Sequence, residues 1–277
     1  MSDLSATESP HAQQVGATSR PRILAVSNQK GGVGKTTTAV NLATAMAAVN
    51  KKVLVIDLDP QGNASTSLGI DRKHRAINTY HLLVGEAKVE QAVTPTAIPN
   101  LFVIPSGSDL AAAELDLIDM EERHARLKNG LAEQGVDYDF ILIDCPPSLG
   151  LLTVNALVAA DAVMVPLQAE FLALEGIRDL VSTIERIRRG FNPKLEIQGI
   201  VLTMVDKRNN LSEMVESDVR SYFGEKVYST VIPRNVRISE APSHGKPILL
   251  YDLGSKGAQA YLNLAGEVLK REQAVAA

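Results

Sequence analysis

Apolar residues fall along this chain in two rhythms. Short, nearly continuous runs of aliphatic and β-branched residues recur at 23–27, 53–57, 101–104, 140–144, 162–165, 197–203 and 227–232. Such runs predict strands buried on both faces. Between them, longer stretches at 35–48, 109–133, 150–159, 174–189, 211–223 and 256–271 carry apolar residues at helical spacing. The alternation predicts an α/β fold, a mostly parallel central sheet flanked by helices on both faces. Gly190 and Gly224 stand where helix C-terminal caps are expected, with Pro193 soon after the first. No internal repeat or linker interrupts the pattern, so residues 21–277 read as one domain. Residues 1–20 are rich in Ser, Ala, Thr and Gln and lack the basic and apolar segments of a signal peptide, which predicts a disordered leader.

Composition narrows the class. Hydrophobic residues make up 45% of the 277, enough for a core, but aromatics only 4%, so that core must be aliphatic. A formal net charge of −4 argues against a uniformly basic nucleic-acid binder and leaves room for a local basic face. One cysteine, Cys145, excludes an internal disulfide and a Cys/His zinc cluster and suits a reducing cytoplasm. It reads as a small buried residue. No apolar stretch is long enough to span a bilayer.

The most informative segment joins the first strand to the first helix. Residues Lys30-Gly31-Gly32-Val33-Gly34-Lys35-Thr36 form a phosphate-binding loop, in which backbone N–H groups and the helix N-terminus cradle phosphate oxygens and Lys35 reaches the β/γ-phosphates. Thr37 continues it into the helix. Where an ordinary loop of this kind has its first glycine stands Gln29, and a second lysine, Lys30, follows. One triphosphate rarely needs two such point charges from one loop.

Acidic residues close two of the buried strands, on the side where open α/β sheets bind ligands. Asp57 and Asp59 follow the second run and Asp144 ends the fourth. Hydrolysis of a nucleoside triphosphate needs Mg2+ and a group that positions the attacking water. Thr36 is the expected direct metal ligand, Asp144 would support the metal or its waters, and Asp59 is the better water-positioning candidate, also placed near the metal. Taken singly, each aspartate could equally be a turn or N-cap residue.

Together, Lys30 to Thr36, Asp57-Leu58-Asp59-Pro60-Gln61-Gly62-Asn63 and Ile143-Asp144-Cys145-Pro146-Pro147 resemble the deviant-Walker-A ATPases. The segment Val231-Ile232-Pro233-Arg234-Asn235-Val236-Arg237-Ile238-Ser239-Glu240-Ala241-Pro242-Ser243 narrows the resemblance to the ParA/Soj chromosome-partition ATPases, over about residues 22–270. The resemblance implies an ATP-dependent sandwich homodimer in which Lys30 crosses to the partner's nucleotide, with Gly31 where the two loops meet. It places Thr203, Met204, Asp206, Pro233, Arg234 and Asn235 around the adenine, although Met204 could equally be core packing. It further implies nonspecific double-stranded DNA as a ligand of the dimer, a ParB-type partner that stimulates slow hydrolysis, and a cytoplasmic, nucleoid-associated location. The DNA-contact candidates are Arg208, Arg234, Arg237, Lys246 and Lys256, with Arg186, Arg188 and Arg189 as a second cluster that reads equally as the complement of a helix C-terminus. Two other classes share this loop. A MinD-like membrane-associated regulator needs a basic amphipathic C-terminal helix with an apolar anchor, and the tail here ends Ala-Val-Ala-Ala. A nitrogenase-iron-protein-like reductase needs cluster cysteines that Cys145 alone cannot supply.

Overall fold

The computed structural model describes residues 20–132, 137–170, 173–206 and 208–276; apart from Arg20, the leader expected over residues 1–20 lies outside them. Seven strands form one sheet in the order β3-β4-β2-β5-β1-β6-β7. They are β1 (Arg22–Val26), β2 (Val53–Asp57), β3 (Thr94–Pro95), β4 (Leu101–Ile104), β5 (Phe140–Asp144), β6 (Ala162–Gln168) and β7 (Glu196–Thr203). All neighbours pair in parallel except the two-residue edge strand β3, which runs antiparallel to β4.

The helices among the described residues are α1 (Lys35–Ala48), α2 (Asn63–Ser67), α3 (Thr79–Val84), α4 (Val89–Ala92), α5 (Ala113–Asp116), α6 (Arg126–Ala132), α7 (Leu151–Ala159), α8 (Ala173–Gly190), α9 (Asn210–Phe223), α10 (Val236–Glu240), α11 (Ile248–Tyr251) and α12 (Lys256–Ala276). Two apolar cores, one on each face, explain why the strands read as continuous runs. Ile23 and Ala25 of β1, with Ile141 and Ile143 of β5, belong to the core that takes in α7 and α8. Leu24 and Leu142, one residue out of phase, belong to the opposite core with α1 and α12. Helix α1 is buried on nearly every side, with Ala39, Ala43 and Ala45 inaccessible, so small side chains let it sit directly on the sheet.

Three features differ from the sequence expectation. The run 227–232 is no strand: it meets β7 at an isolated bridge between Val227 and Ile200 and through the Tyr228 and Ile232 amides, which donate to the Ile200 and Leu202 carbonyls (2.9 and 2.8 Å). Between them the Ser229 and Thr230 amides donate to the Glu267 carboxylate of α12 (2.8 and 3.0 Å) instead of to the sheet. The stretch 109–133 is broken into a 3-10 turn (Ser108–Ala111), α5 and α6, and Glu122, at φ 50°, lies in the break. Gly190 is the last residue of α8 rather than a left-handed cap, whereas Gly224, at φ 54°, does cap α9.

Candidate functional site

The loop between β1 and α1 leaves the centre of the sheet, where β1 lies between β5 and β6. Such a crevice at the carboxyl ends of strands is where doubly wound sheets receive ligands. Gly32 (φ 74°) and Gly34 (φ 88°) take left-handed backbone that a side chain would strain, and a Cβ added at Gly31 or Gly32 would meet nothing within 4 Å. The glycines thus border open space. Helix α1 starts on Gly34 without a side-chain cap, so no side chain covers its first-turn N–H groups. Val33 is fully buried, and its carbonyl accepts a 2.8 Å bond from the Thr203 hydroxyl, which fastens the loop to the end of β7.

The two lysines face different ways. Lys35 is 6% exposed, and its ammonium donates to the Lys30 carbonyl at 3.0 Å, curling inside the loop. Burial lowers its pKa, opposed by Asp144, Cys145 and Asp59. Lys30 is exposed, and its ammonium reaches outward to Glu170, beyond the end of β6, at 3.0 Å. Thr36 and Thr37, half-buried, open the helix beside them.

Opposite Lys35 stand three carboxylates. Asp57 and Asp144 are register partners at the ends of β2 and β5, and both are fully buried. Asp57 is satisfied by the Ser65 amide (2.7 Å) and hydroxyl (2.6 Å); burial nevertheless pushes its pKa up to about 6. Neither oxygen of Asp144 has a hydrogen-bond partner, although the Thr36 hydroxyl lies near enough to act on its charge. Burial, and then Asp57, hold Asp144 well above the ordinary carboxylate range, opposed by Thr36 and Lys35. Asp59 is 7% exposed and accepts from the Gln61 amide at 3.0 Å. Of the seven buried side-chain polar atoms without a partner among the described residues, four belong to Ser27, Gln29 and Asp144 at this site. Concentrated there, they mark a place built for a polar ligand rather than for packing. Among the described residues no group of three His, Cys, Asp or Glu can hold a metal by itself. The donor set of Thr36 and Asp144, hard oxygens of which both on Asp144 lack a hydrogen-bond partner, fits Mg2+ completed by phosphate and water. Burial raises the Cys145 thiol, as suits an inert packed residue.

Beside the loop lies a cavity of about 450 Å3 lined by Gly34, Thr37, Thr203, Met204, Pro233 and Asn235, among others. Met204 lines it with φ 54°, an uncommon backbone for a non-glycine residue. Asn235 also caps α10, accepting from the Arg237 amide at 2.9 Å. Arg234 borders this cavity and the next; Asp206 lines only the next, its carboxylate gripped by Arg208 (2.8 and 2.9 Å), which pulls its pKa down to about 2.

Comparison with known proteins fits this geometry. Residues 21–197 match a family described as an AAA domain. Over 254 residues the chain is 59% identical to the chromosome partitioning protein ParA of Caulobacter vibrioides, covering 91% of this chain and 95% of that one. This chain belongs to the ParA/Soj family of chromosome-partitioning ATPases. It is likewise 52% identical to the sporulation initiation inhibitor protein Soj of Bacillus subtilis, over 89% of this chain and 98% of that one. Among solved structures, cobyrinic acid a,c-diamide synthase from Mycobacterium smegmatis with bound ADP and magnesium superposes with a TM-score of 0.80 at 37% identity, covering 92% and 96%.

In this ParA/Soj-family chain the basic candidates divide. Arg208, Arg234 and Lys256 line one groove of about 770 Å3 next to the cavity described above. Arg237 is exposed on α10 and pairs with Glu240 (3.1 Å) and Asp252 (3.5 Å). Lys246, also exposed, stands on the turn before α11. The cluster Arg186, Arg188 and Arg189 ends α8, which runs back from the loop side of the sheet, so it sits at the opposite edge. There Arg188 pairs with Glu185 and Arg189 bonds the Glu185 carbonyl, the helix-terminus role. Two features escaped sequence reasoning: the Lys30–Glu170 pair, and a network from Asp57 through Ser65 to Ser106, whose amide donates to the Ser65 hydroxyl at 3.0 Å. Both join segments that only the strand order brings together. No helix among the described residues is long and apolar enough to cross a membrane.

Proposed function

We propose that this chain is a nucleotide-driven switch: with ATP and Mg2+ two copies close face to face, the closed pair binds DNA without sequence preference, and slow hydrolysis releases it. The observation that carries the reading is the division of labour between two ammonium groups, Lys35 buried within its own loop and Lys30 at its rim, turned outward. A lysine turned away from its own loop can stabilise phosphate charge only on an opposing subunit, which makes nucleotide state and dimerisation one equilibrium.

In this reading Lys35, the loop amides and the start of α1 hold the phosphates, and the cavity beside Met204 and Pro233 takes the base. Thr36 and Asp144 would hold Mg2+, which neutralises charge on the phosphate oxygens when bound. Asp59, on the loop after β2, orients the attacking water. Arg208, Arg234, Arg237, Lys246 and Lys256 supply the DNA face. If each subunit makes about three phosphate contacts, a dimer makes about six, with a log–log salt slope of roughly −5; a monomer at half that would bind too weakly to persist. The relatives' printed names support chromosome partition as the setting; a location in the cytoplasm on the nucleoid and a ParB-type stimulating partner complete the proposal.

The test is the size of the protein with ADP and with ATP, each with and without nonspecific duplex DNA. A dimer is expected only with ATP, and DNA retention only for that dimer. Lys30→Ala should bind ATP and stay monomeric; a normal ATP-dependent dimer in that variant refutes the crossing.

A further inference from the structure

Arg75 follows the 3-10 turn Arg72–His74 and is 7% exposed, yet it forms no ion pair among the described residues. A buried guanidinium without a carboxylate is an expensive feature to keep. All five of its N–H donors are instead spent on neutral oxygens. Nε and Nη2 donate to the Ile70 carbonyl (3.1 and 2.6 Å) and Nη2 also to the Thr66 hydroxyl (2.9 Å). Nη1 donates to the carbonyls of Gly62 (3.3 Å) and Ser106 (3.4 Å). One planar fork therefore clamps the end of the Asp59 loop, the region of α2 and the segment after β4.

The clamp continues to the reacting centre at both ends. Ser106 donates to Ser65, and Ser65 to the Asp57 carboxylate. Gly62, clamped by Arg75, donates its amide to the Asp59 carbonyl at 2.9 Å, and Gln61 donates to the Asp59 carboxylate. Gly62 itself is held to glycine twice over, by φ 65° and because a Cβ there would come within 2.5 Å of the Arg75 guanidinium. Pro60 and Gln61 otherwise border a cavity of about 370 Å3, also lined by Arg75, which gives an unclamped loop room to shift.

We propose that Arg75 is a positioning residue for hydrolysis, fixing the 59–62 loop so that Asp59 meets the attacking water. The inference rests on the reading of Asp59 as the water-positioning group. In the full-length chain, Arg75→Met and Arg75→Lys should lower kcat about ten- to hundredfold, the scale of a misplaced catalytic group. ATP affinity should stay within about twofold of wild type, because the loop that binds phosphate is untouched, and the ATP-dependent dimer should accumulate as in Asp59→Ala. Lysine keeps the charge and the stem but not the fork, so Arg75→Lys carries the test if Arg75→Met does not fold. In an Asp59→Ala background Arg75→Lys should cost nothing further, a coupling that a role confined to folding would not produce. Wild-type kcat in Arg75→Lys, or fully additive losses in the double variant, overturns the proposal. A slow Asp59→Ala beside a normal Arg75→Lys removes Arg75 alone, whereas Asp59→Ala at the wild-type rate overturns the reading of Asp59 and this inference with it.

Discussion

Asp144→Asn should make the ligand-free protein more stable and its response to magnesium weaker. Asp144 is fully buried beside Asp57, neither of its oxygens is hydrogen-bonded, and Lys35 is the cation that opposes its charge. Removing that charge relieves repulsion and desolvation worth about 1–3 kcal/mol, the usual cost of an uncompensated buried group. For a chain of this size that is a rise of about 2–6 °C in Tm. The sign in pH follows from the raised folded pKa. Below the ordinary aspartate range the carboxyl is protonated in both folded and unfolded states and the substitution changes little; the advantage grows as pH rises toward the folded value. Ligand linkage runs the other way. Saturation at about 100 times Kd stabilises a protein by about 2.7 kcal/mol. In the variant the part of that increment that depends on Mg2+ should be lost. Thermal unfolding at neutral pH, ligand-free, with ATP and a chelator, and with ATP and Mg2+, measures both effects. A lower ligand-free Tm together with an undiminished magnesium increment would falsify the assignment of Asp144 as a charge held ready for the metal.

Lys35→Ala should abolish nucleotide binding, since it removes the ammonium inside the loop; titration with a labelled ATP analogue checks this, and normal affinity defeats the loop assignment. Asp59→Ala should bind ATP, accumulate as dimer and hydrolyse poorly, read by phosphate release against size. Arg237→Glu should dimerise normally with ATP and bind DNA with a salt slope shallower by about 2 per dimer, and an unchanged slope removes Arg237 from the DNA face. Glu267→Gln should destabilise the fold by about 1–2 kcal/mol at neutral pH, because the carboxylate caps two loop amides. Burial raises the Glu267 pKa, but those two amides and Arg271 outweigh it, so the folded value lies below the unfolded one. Its stabilisation is therefore present above the ordinary glutamate range and lost as pH falls through the folded value, and denaturation midpoints of variant and wild type should converge in acid.

What could be read from the sequence was whatever local order decides. The phosphate loop is contiguous, and a strand buried on both faces must be apolar throughout, so β1, β2, β4, β5, β6 and β7 were all visible as runs. The run 227–232 misled because Val227, Tyr228, Val231 and Ile232 are apolar for packing while the amides between them belong to Glu267, far along the chain. Likewise 109–133 has helical spacing, but Glu122 in left-handed backbone lies in the break between its helical pieces. The pairing of Asp57 with Asp144, the Thr203 bond to Val33 and the five-donor clamp of Arg75 depend on strand order and on loop closure. No spacing rule reaches those.

The Lys30–Glu170 contact raises a question of magnitude that bears on the switch. Both side chains are more than two-fifths exposed, so the 3.0 Å pair is a surface ion pair. Such pairs are worth about 0–1 kcal/mol and weaken with salt. Charge-assisted hydrogen bonds to an enclosed anion are worth about 1.5–3 kcal/mol each. Glu170 can therefore park Lys30 but cannot hold it against a phosphate presented across a closing interface. In the proposed dimer two lysines would leave their glutamates, at a combined cost of about 0–2 kcal/mol. The larger gain arises only if phosphate is in place on both sides. The contact thus turns the lysine outward, and on the proposed reading closure would depend on the nucleotide.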